Sequence, residues 1–241
     1  MDIPYLSTPQ MVEVDRAMIE DFHIELIQMM ENAGRNLAHL ARSRFLDGDP
    51  RGRRVTVLAG SGGNGGGALV CARRLHNWGA QVSIVLGAKV ERMKPVPGHQ
   101  LDIAKRMGIP VTTAQRVQDS NDTELVVDGL LGYSLQGSPR GDVAALIRWA
   151  NERSVPILSL DVPSGIDADS GRVEEPSITA TATMTLALPK EGLRVEPACG
   201  RLGELYLADI SVPPELYSAP SLGLEVGPLF AHEEVIRLRL P

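Results

Sequence analysis

The chain has 241 residues, of which 43% are hydrophobic and only 4% aromatic, so it can form one sizeable α/β domain with a mostly aliphatic core. Its formal net charge of −6 argues against a broad nucleic-acid-binding face, although it leaves room for a small anion pocket. Neither a basic-then-apolar leader nor an apolar run of membrane length is visible, so we expect a cytoplasmic protein that binds neither nucleic acid nor membrane.

Two helices are predicted before the first strand, and we call them the N-terminal arm. Thr8, a hydroxyl cap, followed by Pro9 is typical of a helix start. A break near His23 leads into a second helix over residues 24–45. Gly34 lies inside that second helix, where glycine costs about 1 kcal/mol relative to alanine. This glycine indicates close packing against another backbone.

Short apolar runs alternate with helical periods from Val55 onward, which is typical of an α/β protein. This pattern predicts three layers: a mostly parallel sheet with helices on both faces. Residues 95–98 are predicted to interrupt the alternation of strands and helices. The sequence does not decide whether residues 110–113 pair in the sheet. The predicted strands cover residues 55–58, 82–86, 125–128, 157–161, 183–188 and 205–210, and the helices between them 68–78, 101–107 and 143–150.

A glycine loop joins the first predicted strand to the next helix. Glycines let a ligand approach the backbone, and the first amides of a helix attract anions. Residues 60–65 fit G-x-G-x-x-G, the dinucleotide fingerprint, which is a weak signal in a glycine-rich chain. The second strand ends in Gly87-Ala88-Lys89, without the carboxylate that binds a ribose, so an ordinary NAD-dependent oxidoreductase is disfavoured. The alternative is a tight turn needed only for strand–helix packing.

Polar side chains lie at the ends of three of the predicted strands, at the edge of an open parallel sheet where ligands bind. They are Asn64 in the glycine loop, Asp128, and Asp161 with Ser164. The oxygens of Asn64, Asp128 and Ser164 suit one hard cation. An alternative with equal weight is that Asp128 and Asp161 cap neighbouring turns or helices.

The remaining candidate residues either allow both a functional and a structural interpretation or indicate a structural role alone. Arg140 and Lys190 either meet the negative charge of a ligand or face solvent. Asp167 and Asp169 lie in a loop rich in small polar residues and are interpreted as turn residues. Cys71 falls on the apolar face of a predicted helix, so we expect a core residue and not a reactive thiol.

Taken together, these residues resemble the NAD(P)HX epimerase family, also called the YjeF N-terminal domain family, whose metazoan relatives include the apolipoprotein A-I-binding protein. No single stretch is specific, but the combination is, and it covers about residues 5–217. The similar stretches are residues 30–34, the glycine loop, 127–132, 160–168, 180–183, 189–193 and 209–213.

This resemblance implies a Rossmann-like fold and a metabolite-repair isomerase that interconverts the R and S forms of hydrated NADH and NADPH. It implies a potassium ion held by Asn64, Asp128 and Ser164. Asp161 is the predicted catalytic acid or base, since a carboxylate beside the hydrated carbon can transfer the proton. The residues expected to contact the substrate are Gly62, Gly63, Asn64, Gly65, Gly66, Gly67, Gly132, Tyr133, Ser134, Leu135, Gln136, Gly137, Ser138 and Asp161.

The glycine loop departs from the family pattern Asn-Asn-Gly-Gly-Asp-Gly at three positions. Gly63 replaces the first Asn, Gly67 replaces the Asp, and Ala68 replaces the last Gly. We expect Gly67 to lose contacts to free amides and ligand hydroxyls. Ala68 is expected to resist a positive φ and to place a methyl near the ligand. The alternative function is therefore a non-catalytic module of the same fold that binds a nucleotide-like ligand or a protein.

The resemblance also suggests domain limits and partners. Residues 1–217 are predicted to form the epimerase-like domain, and residues 218–241 a tail or connector. Residues 230–241 look similar to the connector that leads into the dehydratase of fused family members. We therefore expect an ADP- or ATP-dependent NAD(P)HX dehydratase as functional partner. Family members are often dimers, so a homodimer is the expected assembly.

Overall fold

Two helices form the N-terminal arm in a computed structural model, which describes residues 3–119, 122–135 and 137–239. They are α1 (Thr8–Glu20) and α2 (Leu26–Phe45). The predicted cap is off by one residue, because the backbone N–H of Gln10 donates to the Ser7 hydroxyl, and Thr8 already lies in the helix. The predicted break is confirmed: His23 between the two helices has a φ of 56°.

Within the described residues, eight strands form one sheet in the order β3-β2-β1-β4-β5-β6-β7-β8. All neighbouring strands are parallel except β7 and β8. The direction of strand addition reverses between β1 and β4, which is where sheets of this kind bind ligands. The strands are β1 (Arg54–Ala59), β2 (Gln81–Leu86), β3 (Val111–Thr113), β4 (Leu125–Gly129), β5 (Ile157–Leu160), β6 (Ala182–Leu186), β7 (Glu204–Ala208) and β8 (Val235–Leu238).

Helices connect the strands. Short 3₁₀ helices cover Val90–Arg92, Ala114–Asp119 and Glu191–Arg194. Among the residues that the structure describes, no helix is long and apolar enough to cross a membrane. The α-helices after the arm are α3 (Gly63–Asn77), α4 (Pro95–Arg106), α5 (Gly141–Asn151), α6 (Cys199–Leu202) and α7 (Pro214–Ser218).

Alternating strand residues place the helices on two faces. Val57 of β1 belongs to a buried cluster with Leu69 of α3 and with residues of α2 and α4. Leu58, the next residue of β1, belongs to a different cluster with Leu146 of α5. Because successive side chains of a strand point to opposite faces, α2, α3 and α4 lie on one face and α5 on the other. The α/β three-layer prediction is confirmed.

Several predicted boundaries need correction. Helix α3 begins at Gly63 and not at Ala68, so most of the predicted glycine loop is the first turn and a half of a helix. Helix α4 begins at Pro95, where an interruption was predicted, because proline fits the first turn of a helix. Residues 111–113 do pair, as edge strand β3. Strand β8 was not predicted and lies in the segment expected to be a tail or connector; the domain limits stay a prediction.

Two predictions about the core are confirmed. A Cβ on Gly34 would lie 2.4 Å from Val70 Cβ and 2.5 Å from the Gly67 carbonyl oxygen, so α2 contacts α3 at this glycine. Cys71 is fully buried, and burial raises the pKa of its thiol. A thiol in this state is a packing group and not a nucleophile.

Candidate active site

A cavity of about 630 Å³ lies at the carboxyl ends of the central strands and is closed on its other side by the arm. We divide its lining into two walls. The arm wall consists of residues 11, 15, 26, 29, 30 and 33. The sheet wall consists of residues 61–64, 67, 130–135, 160, 161, 186 and 190. The volume is in the range of small-molecule and cofactor sites.

A buried ion pair occupies the sheet wall where β5 and β6 end. Asp161 is only 4% exposed and adopts a φ of 66°, an uncommon backbone conformation for a residue with a side chain. Lys190 is 1% exposed, and its Nζ lies 2.5 Å from Asp161 Oδ1 and 2.9 Å from the Leu186 carbonyl. The backbone N–H of Tyr133 donates to Asp161 Oδ2 at 3.1 Å. The interpretation of Lys190 as solvent-facing is wrong, and this pair places a fixed carboxylate and ammonium at the cavity surface.

Asp128 and Ser164 meet behind this pair. Ser164 donates to Asp128 through its hydroxyl at 2.6 Å and its backbone N–H at 2.9 Å. The Ser159 hydroxyl and the Leu130 N–H complete four hydrogen bonds to the carboxylate, which is fully buried. Burial raises the pKa of Asp128, and the hydrogen bonds oppose that rise. The bond to Leu130 also matches the alternative in which Asp128 caps a turn.

Asn64 joins the same cluster from the start of α3. Its Nδ2 donates to the carbonyl of Leu131 at 2.6 Å and to that of Leu160 at 3.0 Å. The Ser164 hydroxyl lies 3.4 Å from the same Leu131 carbonyl. One carboxylate, one hydroxyl and two carbonyls therefore converge, and the Asn64 carboxamide meets the two carbonyls through its nitrogen. This oxygen-rich set with a single negative charge fits a hard monovalent cation, and the described residues hold no cluster of three His, Cys, Asp or Glu.

The glycines of the loop divide into two groups. Gly62, Gly63 and Gly67 line the cavity. Gly65 and Gly66 instead face the packed interior, where a Cβ would lie 2.0 Å from the Gly60 carbonyl oxygen and 2.3 Å from Met30 Sδ, respectively. The loop therefore serves both interpretations: some glycines bring strand and helix together, and others expose backbone to the cavity.

Ala68 does not place a methyl at the cavity, contrary to expectation. Ala68 lies inside α3, so no positive φ is required of it. Its methyl is fully buried and points toward Gly129, where an added Cβ would lie 2.3 Å from it. At Gly67, an added Cβ would approach only the end of the Leu160 side chain within 3 Å. The departures that bear on the cavity are therefore the missing side chains at Gly63 and Gly67.

The loop after β4 lies partly over the cavity, as predicted. Gly132, Tyr133, Ser134, Leu135 and Ser138 line it. Gly137 is exposed and is not part of the lining, and Gln136 lies outside the described residues.

Two exposed cationic side chains, Arg140 and Lys94, line the mouth of the cavity. The acidic residues Asp167 and Asp169, in the loop after β5, do not line it. Asp167 is a turn residue as expected, since its Oδ1 accepts from the backbone and hydroxyl of Ser170. The exposed carboxylate of Asp169 accepts from the Thr8 N–H at 2.5 Å, which links that loop to the arm.

The arm wall was missed by sequence reasoning. The Tyr133 hydroxyl donates to Asp15 Oδ2 at 2.5 Å across the cavity. Backbone hydrogen bonds join Leu6 to Pro189 and to Glu191, the residues on either side of Lys190. A signal did exist: Asp15 lies four residues after Met11 and three before Met18, so it places a carboxylate inside the apolar stripe of α1.

Comparisons with known proteins identify the family of this chain. The family model described as YjeF-related protein N-terminus matches residues 26–192. An NAD(P)H-hydrate epimerase of Dehalogenimonas lykanthroporepellens is 43% identical over 221 residues, covering 90% of this chain and 86% of that protein. An NAD(P)H-hydrate epimerase of Rhodopirellula baltica is 32% identical, covering 90% of this chain and 88% of that protein.

Two further relatives define the limits of the similarity. The bifunctional NAD(P)H-hydrate repair enzyme of Moorella thermoacetica is 36% identical over 88% of this chain, which spans only 41% of that protein. The crystal structure of yeast ynu0 superposes with a TM-score of 0.80 over 98% of this chain and all of that chain at 24% identity, which shows the shared fold. The matching family model and the extent of these identities show that the chain belongs to the YjeF N-terminal family, the family of the NAD(P)H-hydrate epimerases.

Proposed function

We propose that this protein is an NAD(P)H-hydrate epimerase, which interconverts the R and S forms of hydrated NADH and NADPH. The observation that carries the proposal is the buried Asp161–Lys190 pair on the wall of a cavity large enough for a dinucleotide, in a chain of this family. The reaction needs no redox cofactor, because the hydroxyl returns to the carbon that it leaves.

Asp161 is the proposed catalytic acid–base group. Lys190 Nζ donates to Asp161 Oδ1, and Leu186 and Tyr133 hold the pair in one orientation. A carboxylate held in this way can accept the proton of the water that adds to the ring carbon. The neighbouring arm wall, which is largely apolar, keeps bulk water from the site.

A potassium ion is proposed at Asn64, Asp128 and Ser164. The support is the convergence of oxygens described above and the presence of a fully buried carboxylate without a cationic side chain among its hydrogen-bond partners. When bound, the ion supplies positive charge that balances Asp128 and fixes the three loops. Catalysis at the hydrated carbon stays with the residues of the cavity.

The first experiment is an assay of the purified protein with pure S- and pure R-hydrated NADH. The expected result is approach to the epimer mixture well above the spontaneous rate, faster with potassium than with sodium at equal ionic strength. A rate equal to the spontaneous one under both salts would reject the enzyme and favour the alternative, a non-catalytic module that binds a nucleotide-like ligand. Equal rates in both salts with full activity would reject the potassium site alone.

An NAD(P)H-hydrate dehydratase is the proposed functional partner. The support is that this chain matches only part of the longer bifunctional NAD(P)H-hydrate repair enzymes. A homodimer is the proposed assembly, and a cytoplasmic location is the proposed compartment. Sedimentation of the purified protein tests the assembly: a single species of about 52 kDa, twice the 26.0 kDa chain, is expected, and a species of chain mass would contradict it.

A further inference from the structure

Asp15 and the Tyr133 hydroxyl form a second group able to hold a proton in the cavity. The hydroxyl donates to Asp15 Oδ2 at 2.5 Å, and both half-buried side chains line the cavity. Burial raises the pKa of the Asp15 carboxyl, while the Tyr133 hydrogen bond and the charge of Lys190 oppose that rise. The nearby charge of Asp161 acts in the same direction as burial. The protonated form of Asp15 is therefore favoured over that of an ordinary exposed carboxyl.

Tyr133 links this carboxyl to the proposed catalytic one. Its backbone N–H donates to Asp161 Oδ2 at 3.1 Å, while its hydroxyl donates to Asp15. The two carboxyls are thus separated by about the length of one tyrosine. Asp161 belongs to the sheet wall and Asp15 to the arm wall, so they reach the cavity from different elements.

Epimerisation requires proton transfer on both faces of the ring, which a single carboxylate serves poorly. When the ring is held in one orientation, the hydroxyl leaves from one face and returns on the other. The leaving hydroxyl needs a proton donor on its face, and the arriving water needs a proton acceptor on the opposite face. Two proton-holding groups on two walls meet this requirement.

We propose that Asp15 is a second catalytic acid–base group of the epimerisation and that the Tyr133 hydroxyl positions it. This inference rests on the proposed function. The Asp15 carboxyl gives its proton to the leaving hydroxyl, the C–O bond breaks to release water, and the ring nitrogen lone pair forms a C=N bond. Water then adds to the other face, the π electrons return to nitrogen, and the Asp161 carboxylate takes the released proton. The opposite epimer uses the two carboxyls in exchanged roles.

The test compares the wild type with Asp15→Asn in the epimerase assay. The asparagine oxygen can still accept from Tyr133, so the variant removes the proton and keeps the hydrogen bond. We expect kcat to fall about a hundredfold or more with KM changed by less than about threefold, and the pH profile of kcat to lose one of its two limbs. Glu13→Gln is the matched control: Glu13 lies on the same helix, pairs with Arg16 and does not line the cavity, so its kinetics should stay unchanged.

Tyr133→Phe gives an independent test of positioning. The variant keeps the backbone bond to Asp161 and removes only the bond to Asp15, so we expect about a tenfold fall in kcat and a displaced Asp15 limb of the pH profile. An active wild type with unchanged kcat and both limbs in Asp15→Asn would overturn this proposal and leave the proposed function intact. An inactive wild type would overturn both, and an unmoved limb in Tyr133→Phe would remove Tyr133 from its positioning role.

Discussion

The two walls of the cavity are held in place by different forces. Directly behind the sheet wall, Asp128 is paired in register with Ser159 of the next strand, so backbone hydrogen bonds of the sheet fix the side chains that support this wall. The arm wall is fixed by apolar packing of α1 and α2 and by the backbone bonds of Leu6. The arm wall therefore depends on tertiary packing, which no short sequence motif encodes, whereas the sheet wall is supported by backbone pairing. Each variant below changes a residue on only one side of the cavity.

The largest effect on stability is expected at the buried ion pair of the sheet wall. Lys190→Met leaves the Asp161 carboxylate buried without its cation, which should lower the free energy of unfolding by about 3–5 kcal/mol. Denaturation in urea measures it. The double variant with Asp161→Asn should regain part of the loss, because both charges are then gone. A single variant as stable as the wild type would contradict the pairing.

The next effect concerns the contact between the arm and the sheet layer. Gly34→Ala forces a methyl into Val70 and the backbone of Gly67, so we expect a loss of about 1–3 kcal/mol in the free energy of unfolding. Gly63→Ala is the matched control, since a Cβ there meets no atom within 4 Å. Equal effects at the two glycines, measured by thermal unfolding, would show that the arm is not packed as described.

A smaller, pH-dependent effect is expected from the arm carboxyl. The folded state raises the pKa of Asp15 above its ordinary value of 3.8. The stability contributed by its protonated form is therefore fully present below that value and is lost as the pH rises through the raised pKa. The melting temperature of the wild type should fall relative to Asp15→Asn over this interval. A constant difference between the two proteins would argue against a raised pKa.

The smallest effect on stability is expected where the loop departs from the family pattern. Gly63→Asn restores the family residue in open space at the cavity, so the free energy of unfolding should change by less than about 0.5 kcal/mol. One added hydrogen bond of about 1 kcal/mol to the substrate would lower KM about fivefold. Steady-state kinetics measure this change, and an unaltered KM would show that position 63 does not contact the substrate.

The sequence locates the strand ends beside the sheet wall for a physical reason. A carboxylate at the end of an apolar strand, as at Asp128 and Asp161, is costly unless it has partners, so its presence marks the strand ends. Parallel strands bring those ends to one edge, which is where the structure places Asn64 and Ser164 as well.

The arm wall and the details of α3 could not be predicted in the same way. Asp15 lies within a helical apolar stripe, and only the packing of α1 against the loop after β4 makes it a partner of Tyr133. Lys190 follows a strand end like many surface lysines, and its burial depends on Leu6 covering the chain around it. A run of glycines in a sequence usually indicates a loop. In α3 the glycines are helical, and Gly65 and Gly66 pack against backbone and against Met30.

The most direct measurement is the epimerisation rate of Asp161→Asn beside the wild type, starting from pure S-hydrated NADH with potassium present. Asparagine tolerates the positive φ at this position. Because it leaves Lys190 buried without its carboxylate partner, folding is verified by urea denaturation, and the double variant with Lys190→Met, in which both charges are gone, is assayed beside it. Asp167→Asn, a change of a turn carboxylate outside the cavity, is the control. The account predicts a fall of about a thousandfold in kcat for Asp161→Asn alone. A folded Asp161→Asn variant that works at the wild-type rate would contradict it.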